Sequence, residues 1–219
     1  WWDWSKAGQM KEGKPYKDLD ELGKPRYDTK KGEFQWAKNV VPEYFWFNGS
    51  LSTPTAKDTI DPAGVVAVGW PKGDKDDPNA RIFPFKVHRG RQPYDKVNKT
   101  LVIPKLFGKE GTGAYWADYD WEKAAVSGMS YAGLPFSGEL GFVDSTYVFP
   151  ITHMVAPKDK ALQCQECHSK NGRLQNLSGF YLPGRDVNKP IQVIGWVLVL
   201  GSLAGVFFHG LGRFITRGK

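Results

Sequence analysis

Residues 161–170 read ALQCQECHSK and hold both cysteines of the 219-residue chain. Cys164, Cys167 and His168 form Cys-x-x-Cys-His, the pattern that attaches a c-type haem. Two thiols three positions apart on one helical turn suit the separation of two haem vinyl groups, to which they add as thioethers. The histidine that follows is then placed under the iron as the proximal ligand. A bare Cys-x-x-Cys pair can instead be a redox disulfide or half of a zinc site. Here a histidine follows directly and no further cysteine exists to complete a zinc site. The motif predicts one covalently attached haem c, held by Cys164, Cys167 and His168. With both thiols committed to the haem, no disulfide is expected.

One haem needs far less chain than this. The length allows one domain of ordinary size, or a domain and an anchor. Apolar residues make up 41% and aromatics 14%, with nine Trp, which suits a packed globule. With 25 Gly and 15 Pro, long regular elements are expected to be few outside the C-terminus. The net charge is +7 but is not gathered into a dense basic run, so no nucleic-acid partner is expected. Haem propionates are the better counterpart for that charge. The first residue is Trp, and covalent haem attachment in bacteria takes place outside the cytoplasm. The chain therefore reads as a processed protein, a fragment, or a sequence missing its start.

Along the chain, VVPEYFWFNGS (40–50) reads as a buried strand before an Asn-Gly turn. Residues 52–80 carry four prolines and read as loops. RIFPFKVHRG (81–90) reads as an extended stretch ending in a turn, and TLVIPKLFG (100–108) as a short strand. YDWEKAAVSGM (119–129) is the clearest soluble helix, with Asp120 as its cap and Gly128 as its stop. Residues 130–150 read as turns and short extended pieces. The segment around the haem motif is predicted helical, ending at Asn171-Gly172. The expected fold is mixed α+β: a loop-rich periplasmic haem domain (1–186) with short strands and helices, followed by a C-terminal transmembrane anchor (187–219).

The anchor is predicted from IQVIGWVLVLGSLAGVFFHGL, residues 191–211, in which only Gln192, Ser202 and His209 are polar. About twenty such residues in a helix cross a ~30 Å hydrocarbon core. Arg213, Arg217 and Lys219 follow the span and Arg185 and Lys189 precede it, so charge gives only a weak vote for a short cytoplasmic tail; the haem, attached outside the cytoplasm, decides the orientation. Gly201, Gly205 and His209 recur every four residues and share one helix face. Small residues there would let another helix approach closely. An ionisable group inside a span usually faces protein or water. That face is therefore expected to meet a membrane partner, such as a cytochrome b or quinone-binding integral subunit. The expected location is the bacterial inner membrane, single-pass, with the main domain periplasmic.

Beyond His168 there are three more histidines, His88, His153 and His209. The sixth iron ligand is open among His88, His153, Met129, Met154 and lysines. Met ligation raises the potential, and paired His ligation lowers it. One haem takes only one further ligand. If both His88 and His153 bind iron, one of them serves a haem carried by another polypeptide.

WWDWSKAGQ, KNVVPEYFWFNG, FPFKVHRGRQPYDKVNK, AYWADYDWEKAAVSGM and YVFPITHMVAPKDKALQCQECHSKNGRL resemble the C-terminal half of the octahaem tetrathionate reductase family. These are multihaem c-type cytochromes related to hydroxylamine oxidoreductase. The resemblance runs from about residue 2 to about 182 and is most specific over 149–174. It implies that most haems, and the catalytic haem with its unusual Lys ligand, belong to an N-terminal half not in this chain. No catalytic residue carries over. His88 and His153 carry over as iron ligands of this or a neighbouring haem. Further haems are then contributed by another multihaem chain or by the missing half. The expected function is electron transfer between a membrane quinone-linked partner and periplasmic haems. The alternatives are part of an octahaem enzyme acting on tetrathionate, nitrite or hydroxylamine, and a structural anchor for a larger redox assembly.

Overall fold

The computed structural model describes residues 1–152 and 156–217. It comprises two compact units, Trp1–Val155 and Ala156–Lys219. The fold is mixed α/β, with ten strands in one sheet and four α-helices among the described residues.

The strands of the first unit are β1 (Trp2–Asp3), β2 (Lys17–Leu19), β3 (Pro25–Asp28), β4 (Gly32–Phe34), β5 (Glu43–Phe47), β6 (Leu51–Ser52), β7 (Val66–Pro71), β8 (Arg81–Asp95), β9 (Thr100–Leu101) and β10 (Leu140–Pro150). The sheet runs β2-β3-β4-β1-β8-β10-β7-β6, with β5 and β9 also paired to β8. Its spine is the antiparallel pair β8 and β10, in register from Leu140 opposite Asp95 to Pro150 opposite Phe85. Alternation of side chains across the pleat explains β10: Gly141, Val143 and Ser145 point inward while their neighbours are more exposed.

Several sequence expectations change here. β5 lies inside the predicted 40–50 stretch, and Gly49 after it takes φ +96° as an Asn-Gly turn requires. The prolines of 52–80 do not exclude a strand, because β7 lies among them. The 81–90 segment does not turn at Gly90 but continues to Asp95. Gly90 is buried, and a Cβ there would run into the Trp2 carbonyl, so it admits β1 as a parallel neighbour. Residues 140–150, read as short pieces, form one eleven-residue strand. The 100–108 run pairs only over Thr100–Leu101.

Two helices complete this unit, α1 (Tyr115–Asp118) and α2 (Trp121–Tyr131). Asp120 caps α2 as expected, its side chain accepting from the Lys123 N–H at 3.0 Å. Gly128 does not stop it. A Cβ at Gly128 would meet the Ile103 carbonyl and, at 2.6 Å, the Lys105 nitrogen, so this glycine lets residues 103–105 cross close to the helix. Met129 is buried with Val102 and Ala125, and its sulfur accepts from the Ile103 N–H at 3.3 Å. Its place in the core removes it from the possible iron ligands.

The second unit contains a 3-10 turn (Lys158–Lys160), α3 (Cys164–Cys167) and α4 (Lys189–Thr216). The helix expected around the haem motif is a single turn. The Arg173 N–H takes the Glu166 carbonyl at 2.7 Å, so the chain folds back on the turn instead of propagating it. α4 has 28 residues and a mean hydropathy of 2.1 over its most apolar stretch, so it is long and apolar enough to cross a membrane. At 1.5 Å per residue it extends about 42 Å. The Asn188 side chain caps it by accepting from the Ile191 N–H, and Pro190 lies in its first turn.

Candidate haem site

The motif turn starts on a capping box. Gln163 has extended backbone angles, and its N–H donates to Glu166 Oε2 at 2.9 Å. Arg173 holds the other oxygen of Glu166 at 3.1 Å. The Gln163 backbone bond and the Arg173 guanidinium together hold the Glu166 carboxyl below its ordinary range. The His168 N–H closes the turn on the Cys164 carbonyl at 2.8 Å, and His168 itself leaves helical geometry at ψ 56°. One turn thus carries two free thiols, Cys164 exposed and Cys167 half-buried, with an exposed imidazole one residue on.

Two glycines bring the following loop against the carbonyl side of this turn. A Cβ at Gly172 would lie 2.7 Å from the Cys167 carbonyl oxygen, and one at Gly184 would collide with the His168 carbonyl. Gly184 also has φ +88°. Beside it, the Arg185 guanidinium binds the carbonyls of Leu174 (2.9 Å), Leu177 and Phe180 (3.1 Å), and pairs with Asp186 at 2.7 Å. Arg185 also lies over the Phe180 ring. The Asp186 carboxyl is held at about 2 by the Arg185 hydrogen bonds and by the Leu182 N–H. Leu177 and Leu182 are the buried apolar side chains of this unit among its described residues. A polar clamp therefore shapes this loop more than an apolar core does.

The donor chemistry fits a covalently attached haem. Both thiols lie on one braced turn, Cys164 exposed and Cys167 half-buried, with the exposed imidazole directly after it, while the backbone behind them is locked. Among the described residues no group of three or more His, Cys, Asp or Glu gathers as a separate metal set. Cys164, Cys167 and His168 would hold the group.

His88 lies in the first unit, on β8 opposite Tyr147 of β10. Its imidazole stacks on Tyr147 at 4.8 Å and 11°, and meets Phe149 edge-on at 5.4 Å. It is exposed enough to reach an external group. Partial burial, with nearby positive charge that includes Lys86, lowers its pKa. His153 lies outside the described residues, as does Met154. His209 lies on α4 with Gly201 and Gly205 at four-residue intervals. Apart from the adjacent residues and the helix's own backbone, no described atom comes within 4 Å of a Cβ built at Gly201 or Gly205.

The sequence reading missed the Arg185–Asp186 clamp and the Glu166–Arg173 brace. The Gln-x-x-Glu spacing at 163–166 was a legible signal for the latter.

A braced Cys-x-x-Cys-His turn defines a c-type cytochrome site. Residues 1–171 match the family described as "Cytochrome c bacterial", and the chain belongs to that family. Membership implies covalently bound haem c. The chain is also similar to the crystal structure of octahaem cytochrome c from Shewanella oneidensis, at 41% identity and a TM-score of 0.72. That likeness covers 81% of this chain and 41% of the other, so this chain spans less than half of that relative's length. No curated protein matches the chain.

Proposed function

We propose that the chain is the C-terminal, membrane-anchored part of a multihaem c-type cytochrome, either split off as a subunit or continuous with a longer polypeptide. It passes electrons between a quinone-linked membrane partner and periplasmic haems. The observation that carries this reading is a mismatch: one haem motif in a chain that resembles 41% of an octahaem protein. The remaining haems then belong to the other part of the assembly, in keeping with the C-terminal half of the octahaem tetrathionate reductase family.

Bound haem c would supply a one-electron iron couple. The chain's own residues have separate tasks. Cys164 and Cys167 fix the macrocycle, and His168 ligates from the turn that Glu166 and Arg173 brace. His88, presented on a sheet face beside Tyr147 and Phe149, is a ligand for this haem or a neighbouring one, and His153 is the second such candidate. α4 holds the main domain at the periplasmic face of the inner membrane, with the C-terminus cytoplasmic. Its Gly201/Gly205/His209 face receives the integral partner, a cytochrome b or quinone-binding subunit.

The test is to purify the intact complex through this chain, then count haems by pyridine haemochrome assay and intact mass. One haem on this polypeptide and further c-haem on co-purifying or continuous sequence are expected. A complex with no c-haem beyond the one at Cys164 and Cys167 would sink the proposal.

A second reading is that the assembled complex converts tetrathionate, nitrite or hydroxylamine. The likeness to an octahaem cytochrome favours it. It requires a haem with an open or Lys-ligated position. A haem set that is six-coordinate throughout, with no turnover of any of the three compounds, rules it out.

A further inference from the structure

Six rings of the first unit form one continuous series from the interior to the surface. Tyr115, fully buried, stacks on Trp121 at 3.9 Å and 23°. Trp121 meets Trp4 edge-on at 5.8 Å, and Trp4 stacks on Trp2 at 4.5 Å. Trp2 stacks on Phe34 at 5.1 Å, and Phe34 on Trp36 at 5.6 Å and 15°. Trp36 is 56% exposed. The rings come from β1 and the turn after it, β4 and the segment just past it, α1 and α2, so only the tertiary fold brings them together.

Aromatic packing accounts for ring clusters in general. Two features go beyond packing. The first is ring chemistry. The aromatic cluster between β5 and β8 is built from Phe45, Phe47, Phe83 and Phe85, with Trp70 at its side. The series from Tyr115 to Trp36 is mostly indole, which gives up an electron far more readily than a phenyl ring. The second is the handling of protons. Trp2 Nε1 donates to the Lys31 carbonyl at 2.6 Å, and Trp36 Nε1 to the Pro25 carbonyl at 2.7 Å. Backbone carbonyls are too weakly basic to remove an indole proton. Among the described residues, the Trp121 N–H and the Tyr115 hydroxyl approach only each other and lack a partner in full hydrogen-bonding geometry. An indole oxidised inside the series has no protein base to take its proton, so there only the electron moves; at Trp36, which is 56% exposed, water can take it.

We propose that Trp121, Trp4, Trp2 and Trp36 form a hole-transfer relay that carries oxidising equivalents from the interior of the sheet domain to its surface, with Phe34 as a stacked bridge. A one-electron oxidant of the oxygen-radical class takes an electron from Trp121. Trp4, Trp2 and Trp36 refill the vacancy in turn, and a soluble reductant of the thiol or ascorbate class returns one electron to Trp36. Between the inner indoles only the electron moves; a proton that Trp36 loses to water when oxidised is regained from solvent as the reductant returns the electron. Tyr115 ends the series without joining it, because its buried hydroxyl has no base to take the proton. The relay does not depend on how many haems the assembly holds.

The test uses the full haem-loaded chain. Glu122 is exposed and adjacent to Trp121, so Glu122→Cys accepts a ruthenium polypyridyl photo-oxidant while the native cysteines are held as thioethers. After flash-quench with the haem iron kept ferric, peptide mapping locates oxidised Trp. Oxidation at Trp36, well above that at Trp1, is expected, since Trp1 is 40% exposed but outside the series. Trp4→Phe should lower Trp36 oxidation several-fold and raise it at Trp121, and Trp4→Tyr should partly restore the wild-type pattern. Trp2→Phe provides an independent break should Trp4→Phe fail to fold. Equal oxidation of Trp1 and Trp36, or Trp36 oxidation unchanged by either break, overturns the relay.

Discussion

The backbone of Gly184 lies so close to the carbonyl of His168 that no side chain fits between them. The residue that would ligate the iron is thus held from behind by a loop sixteen positions further on. Arg185 then ties that loop through three of its carbonyls. Gly184→Ala must displace the His168 carbonyl and also strain a backbone at φ +88°. A side chain at such an angle alone costs about 1 kcal/mol or more. The expected result is a shifted reduction potential and altered haem bands in the folded holoprotein, with a lower melting temperature. Asn176→Ala, an exposed position in the same loop, serves as the control and should leave the potential unchanged.

Arg185→Lys keeps the charge but cannot hold three carbonyls and a carboxylate in one planar fork. Hydrogen exchange across residues 172–186 should accelerate, while exchange in the β8–β10 pair stays as in the wild type. Unchanged exchange in the loop would show that the clamp does not hold it.

The covalent chemistry makes a sharper prediction. Cys164→Ala and Cys167→Ala should each leave one possible thioether, visible as partial haem retention and a displaced α-band in the pyridine haemochrome spectrum. The double variant should lose haem from the denatured chain entirely, as read by intact mass. His168→Ala should retain covalent haem where attachment still proceeds, but with an altered axial-ligand spectrum.

How much of this was legible in the sequence depends on the range of the interaction. The haem motif, the Asp120 cap and the apolar run of α4 are local patterns, and each is visible in a few consecutive residues. β8 was legible only in part. The extended stretch over 81–90 reads as ending in a turn, yet the strand runs on, with Pro84 and Pro93 offering their carbonyls to Ile151 and Val102 and Gly90 making room for β1. Those roles depend on partners up to 88 positions distant and leave no local signature. Gly128 misled for the same reason. A glycine near the end of a helical pattern reads as a stop, but here it marks a crossing chain. The Arg185 clamp was hidden because an Arg-Asp pair in a polar loop looks like any solvated surface.

Asp95 gives the sheet domain an acid sensitivity. It is fully buried at the end of β8 and accepts from the Val97, Asn98 and Ser137 N–H groups, the Asn98 amide and the Ser137 hydroxyl. Burial pushes its pKa up, but these donors outweigh burial and hold it at about 2, below the ordinary 3.8. The unfolded chain therefore binds this proton more readily than the folded one. The contribution, about 2 kcal/mol by linkage, is complete above an unfolded value of ~4 and is lost as pH falls through the folded one. Exchange of the 95–101 peptide, measured after brief acid pulses, should rise between those limits. In Asp95→Asn the exchange should already be fast at pH ~7, and the acid step should disappear.

His88 divides the roles of ligand and sheet surface. As an iron ligand in the assembled complex, it predicts that His88→Ala converts one haem from a six-coordinate to a high-spin signal without loss of covalent haem. Imidazole added in solution should restore the original spectrum by filling the vacated position. If His88 only packs on Tyr147, the haem spectrum stays as in the wild type and the change is confined to sheet stability.

α4 is the element through which anchoring and electron transfer can be told apart. α4 is long and apolar enough to cross a membrane, so deletion of residues 187–219 should release the haem domain from the membrane fraction. Release alone tests the anchor. Replacing 187–219 with an unrelated transmembrane helix restores tethering but not the Gly201/Gly205/His209 face. If that face packs on a quinone-linked subunit, quinol-driven haem reduction should stay well below the wild-type rate in the re-tethered protein. His209→Ala in the native helix should lower it in the same direction while tethering is retained. Full recovery of the rate by the foreign helix would assign α4 to anchoring alone, and the membrane partner would then have to meet the chain outside the bilayer.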